Sequence, residues 1–167
     1  NFQNSQKEKP NLLLNKLPFR SQPKELSWDD VKNMLKKLDF FDSSWNKTSK
    51  GFTNQFEKQK KNGEIVLLDK ASGLMWQQSG SSESMTYKDA QKWINDLNKT
   101  GYAGYNDWRL PTLEEAMSLI ERQKRDDGLY IDPVFNKKQH WIWTSDLYKN
   151  NGVRAWYVSF LTGSCGN

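Results

Sequence analysis

The chain has 167 residues, a formal charge of +5 and an apolar share of 35%. That share is low, but eight Trp and eight Phe bring large buried area per residue, so a folded domain with a real core is expected rather than a disordered chain. No apolar run reaches the roughly 18–20 residues of a membrane span, and a single His and a single Cys exclude most zinc sites, haem attachment and an internal disulfide.

Residues 1–26 are polar and carry Pro10, Pro18 and Pro23, which break helices. They read as an extended arm. Its one apolar patch, Leu12, Leu13, Leu14, Leu17 and Phe19, is too small to form a core and is expected to order by docking, on a partner or on its own domain. Deleting the arm is expected to leave the domain folded and to weaken assembly. Residues 1–62 hold 13 Lys/Arg against 7 Asp/Glu, whereas residues 63–167 hold 12 against 13. A nucleic-acid binder would carry its basic face on the folded body. A basic leader suits an acidic partner, a membrane surface or plain solvation.

Residues 27–62 read as a helix and loop. Ser27 and Asp30 form a capping box, and Val31, Met34, Leu35 and Leu38 follow at helical spacing. The loop at Asp42-Ser43-Ser44-Trp45-Asn46 fails as a calcium site, because its oxygen ligands do not alternate and no Glu closes it.

From residue 63 the pattern changes. Ile65 to Leu68 and Leu74 to Gln77 read as a hairpin across Asp69-Lys70-Ala71-Ser72-Gly73. Thr86 with Asp89 opens a helix bearing Ala90, Trp93, Ile94 and Leu97 on one face, and Gly101 ends it. Thr112 with Glu115 opens another, with Leu113, Ala116, Met117, Leu119 and Ile120, and with Arg122, Lys124 and Arg125 trailing. Trp141 to Ser145 and Arg154 to Phe160 read as a last hairpin turning at Asn151-Gly152. Helices and strands are segregated along the chain, which argues for an α+β fold. Trp76, Trp93, Trp108, Trp143 and Trp156 are expected in the core.

No set of side chains stands out as catalytic. His140 lies in a polar turn and Cys165 near the terminus, and an exposed His and an inert thiol are expected. Glu114 and Glu115 suit a helix dipole rather than acid/base work, and there is no phosphate-binding glycine loop. Asn46-Lys47-Thr48 and Asn98-Lys99-Thr100 match the glycosylation triplet, a short and common pattern. The distinctive segment is Asn106-Asp107-Trp108-Arg109-Leu110-Pro111-Thr112. Asp107, Trp108, Arg109 and Pro111 are read as architectural, with Arg109 at least half-buried and paired to a carboxylate such as Asp107 or Asp132.

These residues resemble the Lcl C-terminal domain family of bacterial proteins. The resemblance rests on Asp69, Gly73-Leu74-Met75-Trp76-Gln77, Tyr87, Ala90, Leu97, Gly101 to Tyr105, Asp107 to Thr112, Glu115, Leu119, Ile131 to Phe135, Trp143-Thr144-Ser145, and Ala155, Trp156, Val158, Phe160 and Gly163, in order over about residues 64–163. It implies a C-type-lectin-like domain over residues 63–167, with short antiparallel strands and two to three helices behind the N-terminal extension. It implies adhesion, glycan or protein binding, with no shared catalytic residues and no cofactor.

The expected function is a non-catalytic protein-interaction module or accessory subunit of an exported assembly. A glycan-binding adhesion domain, for sulfated polysaccharide among others, is the alternative, with Trp45, Trp141 and Tyr148 as ligand contacts. The chain begins at Asn1 without a signal segment, so a removed leader and a periplasmic or extracellular location are expected. The resemblance also implies a further strand after Gly163. Ser164 to Asn167 give no strand signal, so the domain is expected to stop short with an open sheet edge.

Overall fold

The computed structural model describes residues 19–149 and 154–167. The patch Leu12, Leu13, Leu14 and Leu17 and the Asn151-Gly152 turn lie outside the described residues. The elements are β1 (Glu25–Leu26), α1 (Trp28–Lys37), β2 (Phe56–Lys61), β3 (Glu64–Asp69), β4 (Met75–Gln77), α2 (Tyr87–Thr100), α3 (Leu113–Met117), β5 (Trp141–Tyr148), β6 (Ala155–Ser159) and β7 (Ser164–Gly166). One sheet runs β2-β3-β4, all antiparallel. The other runs β1-β5-β6-β7, with β1 parallel to β5 and the rest antiparallel. The α+β class follows from this segregation.

The three helix starts lie where their caps place them. Ser27 and Asp30 close a full capping box, as do Thr112 and Glu115, and Thr86 accepts from the Asp89 N–H. Gly101 ends α2 in the left-handed conformation at φ 66°. α3 stops at Met117, short of the trailing basic residues, and Leu119 and Ile120 continue as a buried turn.

Strand β2 was not expected from its sequence, Phe-Glu-Lys-Gln-Lys-Lys, which is nearly all polar. It is an edge strand, where exposed lysines are tolerated. Its turn into β3 uses Asn62 at φ 49° and Gly63 at φ 90°, the two left-handed positions that an Asn-Gly hairpin provides.

Strand β7 corrects the expectation of an incomplete sheet. Tyr157 pairs with Gly166, Val158 with Cys165 and Ser159 with Ser164, so β6 is not an open edge. β3 is central in its own sheet and is not open either. Two features hold β7 despite its weak strand propensity. The Cys165 N–H donates to Asp42 Oδ2 at 3.0 Å. Gly166 sits under the Tyr157 ring, which a Cβ there would meet at 2.7 Å. Cys165 is buried rather than a free-standing terminal thiol, and burial first, then the Asp42 charge, push its pKa well up. A protonated thiol is a poor nucleophile, which fits an inert residue. Asp42 also accepts from the N–H groups of Ser44 and Trp45 at 2.8 and 2.9 Å, so its oxygens serve the backbone.

The core gathers Val31 and Leu35 of α1, Phe40 and Phe41, Leu67, Leu113, Ala116 and Met117 of α3, Ile131, and Trp156, Val158 and Phe160. Residues 19–62 therefore share one core with residues 63–167. Phe19 is buried and packs on Phe40 and Phe52 with ring centroids 5.5 and 4.9 Å apart. It docks on its own chain. Arg20 reaches Glu114 through Nε at 3.0 Å and grips both oxygens of Asp146, which is fully buried. Burial lowers the Arg20 pKa, but Asp146 and Glu114 outweigh it and the net shift is upward. The expectation that residues 1–26 can be removed without loss of folding is corrected here, because Phe19, Arg20 and Leu26 are structural.

Candidate functional site

Helix α2 contributes no residue to the core cluster. Ala90 is its one buried side chain, while Trp93, Ile94 and Leu97 are half-buried. The apolar face of the helix instead walls a cleft of about 450 Å³. The rest of the lining comes from β4, the start of β5, residues 80–85 and the Trp108-Arg109-Leu110-Pro111 segment. Five tryptophans line the space: Trp76, Trp93, Trp108, Trp141 and Trp143.

The cleft is held open by anchors at both ends of α2. At the C-terminal end, Asn98 Nδ2 donates to the Trp108 carbonyl at 2.8 Å, and the Trp108 N–H donates back to Asn98 Oδ1 at 2.8 Å. At the N-terminal end, Trp143 Nε1 donates to the Met85 carbonyl at 3.0 Å, and the Tyr87 and Trp143 rings meet edge to face at 5.8 Å. Trp108 Nε1 donates to the Tyr102 carbonyl at 3.0 Å. The Trp108 and Trp143 rings are thus oriented by hydrogen bonds to backbone carbonyls.

The expectation of five core tryptophans is corrected in part. Trp156 and Trp76 are buried in the core, but Trp93, Trp108 and Trp143 are half-buried and line the cleft instead. Periodicity marks a face as apolar; it does not say whether that face meets protein or an empty space.

Arg109 is paired, but with neither Asp107 nor Asp132. Its Nη1 and Nη2 donate to Glu115 at 2.7 and 2.6 Å, and Glu115 is only 1% exposed. The same carboxylate accepts from the Thr112 N–H at 2.8 Å in the α3 capping box. These bonds to Glu115 raise the Arg109 pKa. Asp107 is exposed on the cleft rim, and Pro111 is buried, with its carbonyl accepting from Ser145 N at 2.7 Å.

We expect Arg109→Ala to cost about 2–3 kcal/mol. That is below the full cost of breaking a buried pair, because Arg109 itself is half-exposed while Glu115 is left buried. Urea melts check this, and an unchanged midpoint would remove the pair from the architecture.

Of the expected ligand contacts, only Trp141 lies in the cleft. Trp45 is 45% exposed elsewhere, against Trp28 and under Lys32 Nζ at 4.2 Å from its ring. Tyr148 packs edge to face on Trp156 at 5.8 Å. His140 is exposed at the cleft mouth. Both glycosylation triplets have their Asn side chains engaged: Asn46 Nδ2 donates to the Leu35 and Phe40 carbonyls at 3.1 and 2.9 Å, and Asn98 is the Trp108 clamp. Among the described residues no His, Cys, Asp and Glu group is placed to hold a metal ion, and no helix is long and apolar enough to cross a membrane.

Fold and cleft together define a two-sheet α+β domain whose middle helix bridges an aromatic hollow. Residues 65–167 match the model of the Lcl C-terminal domain, more than half of the chain, and the chain belongs to that family. No curated protein and no solved structure gives a significant match.

Proposed function

We propose that this chain is a non-catalytic recognition module, an accessory or adhesive component of an exported bacterial assembly, and that the partner's contacting group enters the aromatic cleft. The observation that carries this reading is the cleft itself: about 450 Å³ lined by five tryptophans, two of which, Trp108 and Trp143, are held by indole hydrogen bonds to backbone carbonyls. That volume falls within the usual range of binding pockets. Preset aromatic walls reduce the entropy lost on binding, and tryptophans supply much of the energy at recognition surfaces. The C-type-lectin-like character implied by the family resemblance, and an extracytoplasmic location, fit the same reading.

A glycan ligand is the second reading, and one observation favours it. Trp141, Trp143, Tyr157 and Ser159 share one face of the β5-β6 pair beside the cleft, an uncharged shelf of rings and a hydroxyl. The test compares Trp141→Ala with Trp45→Ala as immobilised baits for envelope proteins and for sulfated polysaccharide. Loss of binding by about tenfold or more is expected for the cleft variant, with the Trp45 variant unaffected. Retention that survives high salt on the protein arm favours a protein partner. Salt-sensitive retention on the polysaccharide arm favours the glycan. Equal binding by both variants would remove the cleft from recognition.

A further inference from the structure

The cleft meets two strands edge-on. Successive side chains of a strand point to opposite faces, so a hollow beside one face touches alternate residues. Here consecutive residues line it: Gly73 to Gln77 along β4, and Gln139 to Trp143 at the start of β5. Sheet edges, with their backbone groups, therefore border the space.

The pairing shows which groups these edges present. The Asp69 N–H donates to the Leu74 carbonyl at 2.8 Å and the Gln78 N–H to the Ile65 carbonyl at 3.4 Å, with Trp76 opposite Leu67 between them. Antiparallel partners alternate between bonded and non-bonded pairs, so Leu74, Trp76 and Gln78 face β3, while Met75 and Gln77 face away. β4 is the last strand of its sheet, and among the described residues nothing takes the backbone N–H or C=O of Met75 or Gln77. On β5 the Phe160 N–H donates to the His140 carbonyl at 2.8 Å, so by the same alternation Trp141 and Trp143 face away from β6. β1 covers β5 only at Leu147 and Tyr148.

Charge separates the β4 edge from the other edge of the same sheet. β2 carries Lys58, Lys60 and Lys61, which guard an edge against a further strand. β4 is Met-Trp-Gln and carries no charge. Within the lining Arg109 and Glu115 form a pair, and the other Asp, Glu and Lys residues are Glu83, Asp107 and Lys138, all exposed. They leave one negative charge in excess at the rim, which suits a Lys or Arg flanking an uncharged stretch. The complement of the edge itself is another backbone. It brings a C=O to each free N–H and an N–H to each free C=O, at the roughly 6.6–6.8 Å repeat of alternate strand residues. Every second side chain of such a strand would lie on the side of Trp76, which shares the buried core with Leu119, Ile131 and Phe135.

We propose that the cleft takes an extended polypeptide segment of a partner protein, which adds to the outer edge of β4 at Met75 and Gln77 and carries apolar side chains at alternate positions. The proposal rests on the cleft being the recognition site and names the form of the ligand.

A library of displayed linear heptapeptides is selected on the immobilised full chain, and the enriched peptide is synthesised with an N-methyl group at each position in turn. Methylation removes a backbone donor without touching the side chain. The expected result has period two: about tenfold or greater loss of affinity at alternate positions and little change at those between. Amide exchange reads the same contact from the protein side. In the protein alone the Met75 and Gln77 amides should exchange much faster than that of Trp76, and the peptide should slow both by about tenfold or more. Gln77→Pro, which removes an outward N–H and leaves the β3 pairing intact, should lose the peptide with its fold unchanged by circular dichroism. Methylation losses without the alternation, or a bound peptide that protects neither amide, overturn the proposal. So does a library that yields no peptide. Protection of both amides before any peptide is added would mean that this chain or a second copy already fills the edge, and overturns it too. The recognition reading fails separately, through the bait comparison above.

Discussion

Asp146→Ala should destabilise the protein by about 3–5 kcal/mol, lowering its melting temperature by roughly 10 °C. Asp146 is fully buried and accepts four contacts: both terminal nitrogens of Arg20, the Lys24 N–H at 2.7 Å and the Leu113 N–H at 2.7 Å. Removing the carboxylate leaves a largely buried guanidinium with only Glu114 and the Gln22 carbonyl as acceptors and strands two backbone donors. The effect reaches across the molecule, because Asp146 joins the residues before β1 to β5 and to the start of α3. Calorimetry on the variant checks it. A midpoint within a degree or two of the parent would mean that the network does not tie the N-terminal extension to the body. Removing residues 19–26 should give a loss at least as large, since it also takes away Phe19 and Leu26.

Trp156→Ala is the other large effect, expected at about 3–5 kcal/mol. Trp156 is fully buried near the start of β6. Its ring meets Trp28 of α1 at 4.7 Å and Tyr148 of β5 at 5.8 Å, both edge to face, and its N–H donates to the Leu26 carbonyl at 3.3 Å. Alanine would leave a cavity that a helix and two strands border, with little freedom to collapse. Denaturant unfolding gives the number. A loss below about 1 kcal/mol would show that the surrounding elements close over the gap.

What was legible in the sequence was local. Ser27, Thr86, Thr112 and Gly101 each act within one turn of their own position, so their chemistry places the helix ends without reference to the rest of the fold. Strands β3 to β6 were legible because apolar runs and turn residues bound them. The Asn62-Gly63 turn could have revealed β2 in the same way, but the lysines masked it.

The two-residue β1 and the glycine-bearing β7 carry no such signal. β1 exists because β5 offers a parallel edge, and β7 because Asp42, far away in sequence, takes the Cys165 N–H. Arg109 was legible as a paired residue, but its partner was not. Glu115 looks fully occupied as a capping residue, and only the fold shows that one carboxylate serves both the cap and the guanidinium.

The cleft was illegible for a related reason. The apolar stripe of α2 predicts something apolar opposite it, and Trp93 or Trp143 would satisfy that stripe equally well by packing or by facing a hollow. Which of the two occurs depends on the spacing set by the Asn98–Trp108 clamp and the Trp143–Met85 bond.

The central claim, that recognition takes place in this cleft, is tested most directly by the indole N–H resonances of the eight tryptophans during titration with the partner that the bait experiment recovers. The signals of Trp76, Trp93, Trp108, Trp141 and Trp143 should move together and saturate, with Trp28, Trp45 and Trp156 left in place. Shifts confined to Trp28 and Trp45, with the five cleft signals unmoved, would contradict it.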